Sequence, residues 1–154
     1  MKLTFWGAAR TVTGSMHELQ AEGRRYLLDC GLFQGRRKEA RSVNENFPFP
    51  PGSVEAVLIS HAHTDHTGNL PTLVRQGFCG PVYATPATTD LCSSMLPDSA
   101  YLQEKDAEFL RKRKARRKLV GFEDDPRSLD LEWFRVGADF GGERGIADHG
   151  LKVR

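Results

Sequence analysis

The chain has 154 residues, 39% of them hydrophobic, which suits one domain with a core of its own. Its 22 Lys and Arg against 20 Asp and Glu leave a net charge of +2, so overall charge selects no class of partner and only local clustering can. No 18-residue apolar span and no apolar leader after Met1 are present, which argues against a membrane partner and for a soluble, cytoplasmic protein. Cys30, Cys79 and Cys92 show no paired spacing and are expected to be free thiols in a reducing compartment.

Leu3 to Trp6 is predicted as a first strand, followed by a loop of small residues over 7–15. Met16 to Ala21 alternates as a second strand, Glu22-Gly23 makes a turn, and Tyr26 to Asp29 forms a third strand. The loop carries Gly7 and Gly14, yet no Gly-Lys-Ser/Thr follows and Ser15 leads into a strand, which excludes a nucleotide phosphate loop. Asp29 closes the third strand ahead of Cys30-Gly31. An Asp there is either a turn former or a hydrogen-bonding support for a neighbouring loop, and the residues alone leave both open. Residues 32–52, rich in proline and polar side chains, are predicted to cross the surface without regular structure.

The apolar run Val57-Leu58-Ile59 then leads into Ser-His-Ala-His-Thr-Asp-His-Thr-Gly-Asn over 60–69. The order reads as a buried strand, a tight loop and a helix start. Three of the five histidines, His61, His63 and His66, fall here with Asp65 among them. Side chains alternate in extended backbone, so His61 and His63 project to one side, and a short turn can aim Asp65 and His66 at the same place. Nitrogen and oxygen donors converging like this are what Zn²⁺ accepts. Asp65 as a simple helix N-cap is the bland alternative, and three nearby histidines weigh against it.

Further on, Leu70, Leu73, Val74 and Phe78 make a helical apolar stripe ended by Gly77, and Pro81 to Ala84 form a short strand. Thr85-Pro86 starts a helix whose buried face is expected to hold Leu91, Met95 and Leu96, with Cys92 in the core. A separate helix is predicted over 97–118, with Tyr101, Leu102, Phe109 and Leu110 turned inward. It ends in Arg111, Lys112, Arg113, Lys114, Arg116, Arg117 and Lys118, either a solvated face or a surface for phosphates. Strands alternating with helices make the fold class α/β, and ligands in such sheets gather at the loops beyond the strand ends.

His-x-His-x-Asp-His over 61–66 resembles the signature of the metallo-β-lactamase superfamily. Val12-Thr13-Gly14-Ser15, Leu28-Asp29-Cys30-Gly31-Leu32-Phe33-Gln34-Gly35, and Gly80-Pro81-Val82-Tyr83-Ala84-Thr85-Pro86-Ala87-Thr88 are similar to its β-CASP branch of RNA nucleases, as are Asp98-Ser99-Ala100 and Gln103 to Glu108. The resemblance implies the N-terminal half of an αββα sandwich, a partial metallo-β-lactamase fold. It implies two zinc ions, one held by His61 and His63 and the other by Asp65 and His66. Asp65 would also act in catalysis by orienting or deprotonating the nucleophile, and Asp29 would steady the metal loop. The implied reaction is RNA phosphodiester cleavage by a metal-activated hydroxide. RNA is the implied partner, together with a second copy of the chain or other RNA-processing proteins.

The resemblance covers residues 3–118; residues 1–118 are taken as the N-terminal part of the domain, and 119–154 are expected to form a divergent, irregular tail. The superfamily's later motif, a His in Gly-His-x-x-Gly-Ser, has no counterpart there, and Asp148-His149-Gly150 lacks its surroundings. A truncated or out-of-frame tail is therefore expected. Each metal would keep two protein ligands where a catalytic zinc usually has three, which predicts weak metal binding and little nuclease activity. Half a sandwich would also leave apolar surface uncovered, favouring poor solubility or dimerisation. Two other functions compete: a thioester- or lactam-cleaving hydrolase of the same superfamily, and a non-catalytic RNA-binding fragment.

Overall fold

A computed structural model of the chain describes residues 1–119. Its elements, in chain order, are β1 (Lys2–Phe5), β2 (His17–Ala21), β3 (Arg24–Leu28), α1 (Arg37–Glu45), a 3-10 turn (Pro51–Ser53), β4 (Val54–Leu58), α2 (Thr64–Thr67), α3 (Leu70–Arg75), β5 (Val82–Tyr83) and α4 (Pro86–Leu119). The α/β alternation expected from the sequence is present. The strands form one sheet in the order β1-β2-β3-β4-β5. β1, β2 and β3 pair antiparallel, whereas β4 runs parallel to β3 and β5 parallel to β4. Glu22 and Gly23, with φ of 53° and 77°, make the two-residue turn of the β2–β3 hairpin, and two positive φ values give it the twist that hairpins favour.

Parallel pairing requires crossovers, and the crossover segments carry helices α1 to α3. One face of the sheet packs into the core: Leu27, Val57, Ile59 and Val82 meet Leu70, Leu73 and Phe78, with Leu27, Val57 and Leu73 fully buried. Each such side chain contributes about 1.5–3 kcal/mol through burial. Gly77, at φ 107°, ends α3 in a conformation that glycine adopts at little cost, and returns the chain so that Phe78 enters the core.

The opposite face carries the register row Phe5, His17, Leu28, Leu58 and Tyr83, one residue from each strand. Phe5 is 58% exposed, Leu58 43% and Tyr83 38%, with Leu3 exposed beside them. Among the described residues nothing covers these side chains, in line with the apolar surface expected of half a sandwich.

Three expectations need correction. The connection over 32–52 is not irregular throughout, because α1 and the 3-10 turn lie within it. α1 has no apolar stripe to betray it; Asn44, 3% exposed, anchors it by accepting from Phe33 N–H (2.8 Å) and donating to Phe33 C=O (3.0 Å). Phe49, flanked by prolines, turns inward against Phe47 (5.8 Å) and Trp6 (6.5 Å). Second, the two helices expected after Thr85 are one, α4, which passes through Pro97.

Third, α4 buries a narrower stripe than its apolar residues suggested. Cys92, Leu96 and Ala100, four apart, are buried and Met95 is partly buried, while Leu91 is 56% exposed. Beyond Ala100 the described side chains find no sheet to pack on, so Tyr101, Leu102 and Phe109 are exposed rather than turned inward. The Leu110 side chain and the tail from residue 120 lie outside the described residues.

Candidate metal centre

β3 and β4 end side by side, and their parallel pairing sends both following loops to the same edge of the sheet. Asp29 N–H, just past β3, donates to Leu58 C=O (2.8 Å), and Ile59 N–H donates to Tyr83 C=O (2.8 Å). The chain then runs through His61 and reaches His63, which precedes the single-turn α2 carrying Asp65 and His66. Short though α2 is, its surroundings hold it closely. Ser15 N–H donates to Asp65 C=O (2.8 Å), Cys30 N–H to His66 C=O (2.8 Å) and Leu32 N–H to Thr64 C=O (3.0 Å). The 7–15 loop and the segment after β3 thus grip the histidine loop through its backbone.

Gly31 makes that grip possible. A Cβ at this position would stand 1.6 Å from Asp65 O and 2.7 Å from His66 N, closer than any side chain can sit. Gly14, at φ 79°, is similarly confined, with Phe33 Cα 2.9 Å from where its Cβ would be.

Four donors aimed at one point were expected; the structure brings His61 beside His63 and His66, and His66 beside Asp65. His61 Nε2 lies 3.1 Å from His63 Nδ1, and the His61 ring centroid is 4.7 Å from His63 and 3.9 Å from His66. His66 Nε2 lies 3.6 Å from Asp65 Oδ2. On its other side, His66 Nδ1 donates to Asp29 Oδ2 at 2.8 Å. Asp29 is 6% exposed and sits at φ 62°, a strained conformation for a residue with a side chain. Its carboxylate also accepts from Ser15 Oγ (3.1 Å), Ser60 Oγ (2.9 Å) and Ser60 N–H (2.8 Å). Burial alone would raise its pKa; the bonds from Ser60 and His66 outweigh burial and hold the group below the usual carboxylate range.

Two nitrogens sharing one tetrahedral zinc at about 2.0–2.1 Å stand about 3.3 Å apart. The His61–His63 spacing therefore fits a pair of ligands, and the Asp65–His66 pair offers the imidazole and carboxylate chemistry of a second. Among the described residues no group of three or more His, Cys, Asp or Glu side chains is arranged to hold a metal ion. Cys30 is fully buried, and burial first, then the Asp29 charge, push its thiol far above its ordinary pKa.

Of the basic run, Arg111, Lys112 and Arg113 are exposed on α4. The backbones of Lys114, Arg116, Arg117 and Lys118 continue the same helix, and their side chains lie outside the described residues. Sequence reasoning passed over Ser15 and Ser60. A hydroxyl residue directly before the first histidine was the available signal for Ser60.

A family model described as the metallo-beta-lactamase superfamily matches residues 11–147. The chain belongs to this superfamily. Among superfamily relatives, ribonuclease TTHA0252 of Thermus thermophilus is 48% identical over 139 residues, covering 90% of this chain and 30% of that protein. Transcription termination factor FttA of Methanothermobacter thermautotrophicus is 38% identical over 109 residues, 70% of this chain and 17% of that protein. Integrator complex subunit 11 of Danio rerio is 32% identical over 103 residues, 64% of this chain and 17% of that protein. The chain thus spans less than a third of the length of these relatives.

Proposed function

We propose that the chain carries the N-terminal, metal-binding portion of an RNA-cleaving hydrolase of the β-CASP branch. The observation that carries the proposal is the pairing of His61 Nε2 with His63 Nδ1 at 3.1 Å, next to His66 braced by Asp29. His61 and His63 would hold one zinc ion, Asp65 and His66 a second. Bound zinc supplies Lewis acidity, which makes water nucleophilic at neutral pH and offsets charge on phosphoryl oxygens. Asp65, through its carboxylate, would take the proton from that water or orient it. Asp29 fixes the His66 ring and leaves Nε2 with its lone pair outward. The exposed Arg111, Lys112 and Arg113 would contact the phosphate backbone without reading sequence. Names of relatives that include a ribonuclease support RNA as the substrate class.

The test is zinc content of the purified chain, with and without His61→Ala plus His63→Ala, beside cleavage of a labelled RNA. The expected result is bound zinc that falls by at least half in the double variant. Unchanged zinc content would overturn the assignment of the ligands.

A second reading rests on the described residues offering no group of three or more metal donors. The chain alone would then bind RNA and cleave it poorly. Affinity falling steeply with salt in a filter-binding assay, without cleavage, distinguishes binding alone from catalysis.

A further inference from the structure

Ser60 is exposed and none of the proposed ligand roles uses it, yet its hydroxyl lies at the junction of three groups. Ser60 Oγ is 2.9 Å from Asp29 Oδ2, 3.0 Å from His61 Nδ1 and 3.4 Å from His66 Nδ1. We infer that Ser60 is a positioning residue that fixes the tautomer of His61, acting as a one-hydroxyl relay between that ring and Asp29.

The argument is a count of hydrogens. A carboxylate can only accept, and a serine hydroxyl has one hydrogen to give. Asp29 Oδ1 takes the Ser60 N–H, and Oδ2 takes the His66 and Ser15 hydrogens. The Ser60 hydrogen goes to Oδ2 as well, because the ionised carboxylate is the strongest acceptor within reach. With its hydrogen so directed, Ser60 Oγ presents only lone pairs to His61. The contact at 3.0 Å is then a hydrogen bond only if His61 Nδ1 carries the proton. That leaves His61 Nε2 as the bare nitrogen, and Nε2 is the atom facing His63 Nδ1. A ring nitrogen's protonation is set by the bond its partner nitrogen makes, so Ser60 stands to His61 as Asp29 stands to His66. One carboxylate thereby orients both rings, His66 directly and His61 through a hydroxyl. Sequence supports the division of labour: Ser60 directly precedes His61, so its backbone N–H and its hydroxyl reach Asp29 from one residue.

The inference rests on reading 61–66 as a metal-holding loop, and two measurements separate the claims. The first is zinc affinity of the full chain, by competition with a chelator, for the unmodified protein, Ser60→Ala and Ser60→Thr. Ser60→Ala should weaken zinc binding by about 10–100-fold, the usual effect of removing such a partner. Ser60→Thr, which keeps the hydroxyl, should restore affinity to within about threefold. The second is the tautomer of each histidine from long-range ¹H–¹⁵N spectra of the metal-free protein above neutral pH. His61 should be Nδ1-protonated in the unmodified and Ser60→Thr proteins and shift toward the Nε2-protonated form in Ser60→Ala. His66, held by Asp29 in all three, should not change, which also reports that the fold is intact. Absence of zinc binding by the unmodified chain would defeat the metal-loop reading, while the spectra would still decide the role of Ser60. Equal zinc affinity in Ser60→Ala, or the same His61 tautomer with and without the hydroxyl, would overturn the inference.

Discussion

Gly31 is the residue on which the geometry of the histidine loop turns, because the Asp65 carbonyl occupies the space a methyl group would need. Gly31→Ala should push Asp65 and His66 away from their partners and cost about 1–3 kcal/mol, the scale of overpacking. Thermal unfolding and zinc content together check this, and both should fall. Glu18 makes a second residue-scale case. Only 2% exposed, it accepts from Trp6 Nε1 (2.7 Å) and Gln20 Nε2 (2.6 Å) and pairs with Arg25, which lies over the Phe49 ring. Burial works to raise its pKa, but the bonds from Gln20, Trp6 and Arg25 more than reverse that and hold the carboxyl below its ordinary value of 4.5. A group depressed on folding stabilises the folded state fully above the unfolded value, and that contribution is lost as pH falls through the folded one. Unfolding midpoints should therefore drop as pH is lowered from about 5 towards 3. Glu18→Gln should flatten this dependence and cost about 1–3 kcal/mol at neutral pH.

At the scale of elements, the sequence disclosed what periodicity encodes and hid what single polar anchors encode. β2, β3, α3 and its glycine stop were all legible, since alternation and helical spacing are direct consequences of burying one face. So was the meeting of His61 with His63, which alternation alone foretold. α1 was not, because a buried asparagine rather than an apolar stripe holds it. Nor was the role of Ser15 or Ser60, because a serine's partners depend on which loops the sheet brings together. The continuity of α4 was hidden behind Pro97, which removes one backbone donor and reads as a boundary. Asn44 also accepts, through its carbonyl, from Asn69 Nδ2 at 3.1 Å, so α1 is tied to the start of α3 as well as to Phe33. Asn44→Ala should leave two part-buried backbone groups of Phe33 without their partner and destabilise by about 1–2 kcal/mol. Amide exchange should quicken around residues 32–36 in that variant while the β2–β3 hairpin stays protected.

For the molecule as a whole, the sheet is finished on one side only among the described residues. Phe5, Leu58 and Tyr83 share a row across the open face, with Leu3 nearby, and contiguous apolar surface of this kind drives association. Sedimentation of the 154-residue chain should show self-association that Phe5→Glu plus Leu58→Glu reduces. An unchanged distribution in the double variant would place the contact elsewhere.

The long helix has a consequence of its own. Leu96 of α4 shares a buried cluster with Ala62 of the histidine loop, and Arg111 follows fifteen residues further along. At 1.5 Å per residue that is about 22 Å of rod. A stacked strand rising about 3.4 Å per nucleotide needs roughly six or seven nucleotides to span the interval. Under the proposed function the helix would act as a gauge: oligonucleotides shorter than that could engage the histidines or the cationic end, and only longer ones both.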